Sequence, residues 1–85
     1  MNHISSEGDE LGTALQDGEA QAFAQLVRGY RLRLYHLVLP IIRSHQDAED
    51  VVQETFLHVL SKIASWHGSN FNAWLFRIAR NLAID

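Results

Sequence analysis

Cysteine is absent from the 85 residues, which excludes disulfides and thiolate metal sites and agrees with a reducing compartment. No apolar run is long enough to cross a membrane, although 47% of the residues are hydrophobic. The opening MNHISSEGDE lacks the cationic start and apolar stretch of a signal peptide, so the expected location is the cytoplasm. Internal repeats, low-complexity tracts and β-branched alternation are missing as well. What remains is an all-α reading, a compact bundle of about four helices. Catalytic chemistry is equally sparse: the chain has no nucleophile-base pair, phosphate-cradling glycine loop or carboxylate pair in an obvious cleft, and no enzyme is expected. His3, His36, His45, His58 and His67 are scattered without the i, i+4 spacing of a helical metal site, so neither metal nor cofactor is expected.

The net charge is −3, but it is divided along the chain. Residues 1–18 carry −4, residues 19–44 carry +3, residues 45–54 carry −4 and residues 55–85 carry +2. Such a split suits one basic and one acidic partner better than a single extended nucleic-acid footprint.

Residues 1–8 are expected to be disordered, and residues 9–85 to form one domain. A short helix from Asp9 to Gln16 should stop at Asp17-Gly18. A long helix should begin near Glu19, with one buried stripe made of Phe23, Leu26, Val27, Tyr30, Leu34, Leu37, Val38 and Ile41. Leu32, Tyr35, Leu39 and Ile42 make a second stripe. Gly29 can bend this helix, and Pro40, the single proline, should kink or end it. Ser44 to Asp47 reads as a turn with an N-cap, followed by a helix to about Ser65 that buries Ala48, Val51, Val52, Thr55, Phe56, Val59, Leu60 and Ile63. The loop Trp66-His67-Gly68-Ser69 leads to a last helix, capped by Ser69 or Asn70, that buries Phe71, Trp74, Leu75, Ile78 and Leu82.

Two outward faces carry the functional signal. On the third helix Asp50, Gln53, Glu54, Leu57 and Ser61 are spaced i, i+3, i+4, i+7 and i+11. An exposed leucine beside two carboxylates and an amide has the make-up of a helix-docking patch; it also fits a solvated face with one incidental leucine. On the last helix Asn70, Arg77 and Asn81 lie along one edge beside Trp74, with Phe76 and Arg80 further out, and Trp66 and His67 sit in the loop before it. Guanidinium groups hold phosphates, aromatic rings stack on unpaired bases and asparagine amides read base edges. Trp74 reads as core before it reads as a stacking platform, and Trp66 is expected to face solvent at little cost to stability.

The two motifs DAEDVVQETF (Asp47 to Phe56) and FNAWLFRIARN (Phe71 to Asn81), in this order and at this separation, resemble region 2 of bacterial sigma factors, in particular the small extracytoplasmic-function group. The resemblance covers about Glu10 to Asp85 and implies the region 2 type of helical bundle. It implies that Asp50, Gln53 and Glu54, with Leu57 beside them, meet the β′ clamp helices of core RNA polymerase. It implies further that Trp66, His67, Gly68, Ser69 and Asn70 form a pocket for bases flipped from the non-template single strand of the minus-ten promoter element. Asn81 matches a position at the upstream edge of that element, with Trp74, Arg77 and Arg80 on the same surface. An anti-sigma factor is a further expected partner. The chain departs from the family at Leu32, often proline there, at Pro40, not usually proline, and at His67, more often arginine. Complete members continue into a helix-turn-helix domain for the minus-thirty-five element; these 85 residues contain none, and the chain reads as a fragment. The reading from a different class is a helical interaction module or regulator that binds polymerase or an anti-sigma factor without touching DNA.

Overall fold

The computed structural model describes residues 7–85, in which four α-helices and one 3-10 turn are packed together. They are α1 (Asp9–Gln16), α2 (Ala22–Ile42), α3 (His45–Lys62), a 3-10 turn (Ile63–Ser65) and α4 (Phe71–Ile84). The all-α bundle of about four helices is therefore borne out. The disorder expected for residues 1–8 lies outside the described residues over 1–6, whereas Glu7 and Gly8 are placed: Glu7 pairs with Arg33 at 2.8 Å, and the Gly8 carbonyl accepts the Gly12 amide.

The core follows from one row on each long helix. Ala22, Leu26, Tyr30, Leu34 and Val38 repeat every four residues on α2 and are all buried. They meet Ala48, Val52, Phe56 and Val59 of α3 and Phe71, Leu75 and Ala79 of α4. Ala22, Ala48 and Ala79, each with a side chain of one methyl group, contribute least bulk to this core. Thr55 is the polar exception on α3, and its hydroxyl donates to the Val51 carbonyl at 2.7 Å, so no buried polar atom is left unpaired there.

Several boundaries differ from expectation for physical reasons. α1 ends in a paired-bond cap, Gly18 N–H to Leu15 O and Glu19 N–H to Ala14 O, which needs the left-handed φ of +72° at Gly18. That cap holds Glu19 outside α2, which starts at Ala22 instead. Pro40 lies inside α2, and the helix runs two residues further before Arg43 ends it with a φ of 66° and an amide bond to Leu39 O. Gly29 interrupts nothing, and a Cβ there would meet only open space. Ser44 caps α3 through Asp47 N–H, as the turn chemistry predicts. α3 stops at Lys62, three residues short of the expected end, because the chain tightens into the 3-10 turn.

The stripe assignments are corrected at Leu32 (62% exposed), Ile41 and Leu60, which face solvent because the buried rows, Leu26 to Val38 on α2 and Val52 to Val59 on α3, turn other faces of these helices inward. Tyr35, Leu39 and Ile42 are half-buried. Trp74 and Ile78 are half-buried too, while Phe71, Leu75 and Ala79 hold the core positions of α4. The largest reversal is Trp66, expected in solvent and only 5% exposed.

Candidate interaction surfaces

Asp50, Gln53, Glu54 and Leu57 all face outward on α3, and Leu57 is 63% exposed. Glu54 lies one helical turn from His58, with a 4.0 Å approach between carboxylate and imidazole. An exposed pairing of that kind contributes little to stability. Adjoining this face, between α2 and α3, is a groove of about 370 Å³. Gln53 and Leu57 form part of its lining, together with Phe23, Val27, Arg31 and Tyr35 from α2. Phe23 meets Phe56 edge to face, with ring centroids 6.3 Å apart. Sequence reasoning missed the α2 side of this surface. The available signal was spacing: Phe23, Val27, Arg31 and Tyr35 form an i, i+4 row displaced by one residue from the buried row.

The loop after the 3-10 turn is built over Trp66. The Trp66 indole N–H donates to the Ser69 carbonyl at 3.0 Å, and its ring meets Phe71 edge to face at 5.5 Å. Trp66 is thus the floor of the loop, and as a buried ring it offers no free face to a stacked base. What the loop presents outward is His67, Gly68, Ser69 and Asn70, with left-handed backbone at Gly68 (φ 91°) and Asn70 (φ 57°). Asn70 occupies the N-cap position of α4, but neither its side chain nor that of Ser69 caps the helix. The Phe71 amide donates to Asp9 Oδ1 at 2.9 Å, so the cap comes from α1.

On α4, Trp74 leans on Phe71 at 5.8 Å with part of its ring accessible. Arg77, Arg80 and Asn81 are exposed, and among the described residues neither arginine is held in an ion pair. Unneutralised guanidiniums beside an exposed loop suit phosphate binding. Phe76 does not project freely: it packs edge to face on Tyr30 at 6.3 Å.

Behind this surface a polar brace ties α4 to α2. The Tyr30 hydroxyl donates to Asn72 Oδ1, Asn72 Nδ2 donates to Glu7, and Arg33 both pairs with Glu7 and covers the Tyr30 ring at 4.2 Å. Burial pushes the Tyr30 phenol above its ordinary range, against the opposing pull of Arg33. A second hydroxyl, that of Tyr35, bonds His45 Nδ1 and joins α2 to the start of α3.

The sequence pattern of the family described as Sigma-70 region 2 matches residues 26–85. Among curated proteins, the chain is 40% identical over 78 residues to the ECF RNA polymerase sigma factor BldN of Streptomyces coelicolor, covering 89% of this chain and 30% of that protein. It is 36% identical over 72 residues to the ECF RNA polymerase sigma factor SigW of Bacillus subtilis, covering 84% and 38%. The chain therefore spans only about a third of the length of these relatives. The fold is similar to the NMR structure of an engineered region 2 of sigmaE in complex with GTAAAA, with a TM-score of 0.81, 33% identity and coverage of 98% of this chain and 86% of that one.

Proposed function

Because the chain belongs to the Sigma-70 region 2 family, we propose that it is the domain through which an extracytoplasmic-function sigma factor docks on core RNA polymerase and captures the unpaired non-template strand of the minus-ten element. The observation that carries this reading is the likeness, over nearly the whole chain, to a region 2 bound to GTAAAA. The surfaces divide the work. Asp50, Gln53, Glu54 and Leu57 supply an acidic face with an apolar centre for the β′ clamp helices, and the groove beside Leu57 widens the apolar area available. His67, Gly68, Ser69 and Asn70 form the base-binding loop, with Arg77 and Arg80 on phosphates and Asn81 on a base edge.

Trp66 keeps a part in that site as its floor, holding Ser69 from beneath. Trp74, half-exposed beside the loop, is the aromatic available to a base. The same surfaces would be those an anti-sigma factor covers, and the setting is the cytoplasm, where the polymerase acts. The role is that of a binding domain, without a reaction of its own.

The deciding experiment is fluorescence anisotropy with labelled single-stranded GTAAAA, alongside capture of core polymerase by the same chain. The expected result is salt-dependent oligonucleotide binding together with polymerase capture. Polymerase capture with no oligonucleotide binding at any ionic strength would instead support the interaction module that never contacts DNA.

A further inference from the structure

Asp9, Gly12 and Gln16 are spaced i, i+3 and i+7, so they share one face of α1, and that face meets the chain at both ends of the exposed loop. At the loop entrance, Gln16 Nε2 donates to the Ile63 carbonyl at 3.0 Å and to the Trp66 carbonyl at 2.7 Å. One turn earlier, Gly12 lies so close to Trp66 that a Cβ would stand 2.5 Å from ring atom Cζ3. At the loop exit, Asp9 accepts the Phe71 amide. Between these attachments lie His67, Gly68, Ser69 and Asn70, two of them in left-handed backbone.

We infer that α1 is a positioning element for the nucleotide-binding loop, with Gln16 setting the loop's entry and Asp9 its exit. The inference rests on the nucleic-acid reading above and assigns the positioning of that site to side chains outside the loop. Gln16 is the informative residue because it is solvent-exposed. If its amide is lost, the two backbone carbonyls it holds at the loop entrance lose that donor, while the core side chains keep their contacts. The loop forfeits a fixed geometry, and a ligand must then supply the ordering itself. A residue of this kind affects binding more than stability.

Gln16→Met keeps size and neutrality but donates no hydrogen bond. In the intact 85-residue chain it should weaken binding of labelled single-stranded GTAAAA by about three- to ten-fold, the equivalent of one modest hydrogen bond. Amide hydrogen exchange at residues 67–71 should quicken, while the melting midpoint and core-polymerase capture stay close to those of the unmodified chain. Asp9→Asn retains an acceptor oxygen and should preserve binding, whereas Asp9→Ala should lose it. Unchanged oligonucleotide binding by Gln16→Met would overturn the inference alone. So would a parallel loss of oligonucleotide binding, polymerase capture and melting temperature, because that is the signature of a merely structural residue. Failure of the unmodified chain to bind GTAAAA would overturn the nucleic-acid reading, and this inference with it.

Discussion

The Asp9 carboxylate caps Phe71: the first residue of α1 accepts the amide hydrogen of the first residue of α4, 62 positions away, at 2.9 Å. Asp9 is itself only 7% exposed, so the bond is sheltered from water. A charged acceptor at a helix N-terminus meets both an orphan amide and the positive end of the helix dipole. The local candidates, Ser69 and Asn70, leave that amide to Asp9 because Asn70 takes a left-handed φ of 57° and directs no cap bond from its side chain.

Asp9→Ala should lower stability by roughly 1–3 kcal/mol, the range for a lost cap that leaves a buried donor unpaired. For a domain of this size each kcal/mol corresponds to about 4–8 °C in melting midpoint. Circular dichroism melts of Asp9→Ala and Asp9→Asn provide the check, and equal midpoints for Ala and wild type would remove the cap from the account.

The two tryptophans should separate in stability. Trp66→Ala opens a cavity beside Gly12 and Phe71 and should cost about 3–5 kcal/mol, a large part of the total for a domain whose stability is on the order of 5–15 kcal/mol. Trp74→Ala should cost distinctly less, since part of that ring is exposed, and should weaken single-strand binding by about 1–3 kcal/mol if a base stacks there. Urea titrations and anisotropy on both variants distinguish these roles.

Reversing charge at Asp50 and Glu54, or placing aspartate at Leu57, should weaken core-polymerase capture by more than about 1 kcal/mol while leaving helicity and melting unaltered. All three side chains are exposed and support no buried contact. Full capture by the Asp50→Lys, Glu54→Lys pair would take the docking surface away from α3.

On α4, Arg77→Ala and Arg80→Ala should weaken every single-stranded sequence alike and reduce the salt slope by about 0.7 per lost phosphate contact. Asn81→Ala should relax preference at one position of the element, by about 1–3 kcal/mol. Binding measured at several salt concentrations, against oligonucleotides differing by one base, reads both effects.

Alkaline pH should destabilise the fold through Tyr30. Its folded phenol ionises above the ordinary value of 10.0, chiefly because it is buried, so the unfolded chain gives up that proton first. Stability is therefore full below about pH 10 and falls as pH rises through the folded pKa. Tyr30→Phe should flatten that part of the profile, as followed by melts between neutral and strongly alkaline pH, although it also removes the bond to Asn72.

The helices and their punctuation were legible in the sequence because they depend on neighbours within about four residues. The row from Leu26 to Val38, the Ser44 cap and the glycine stop at Gly18 all belong to that short range. The outward placement of Asp50, Gln53, Glu54 and Leu57 follows from the same periodicity. Tertiary structure decided which loop tryptophan became core, which acid capped α4, and that Phe23, Val27, Arg31 and Tyr35 open a groove against α3. Gln16 contacts Trp66 across 50 positions, and nothing in its own surroundings announces that partner. Helical periodicity states which face of a segment avoids water, but not which segment will cover it. That choice is made when helices pack, because only packing brings the Asp9 carboxylate to the Phe71 amide and excludes water from between them.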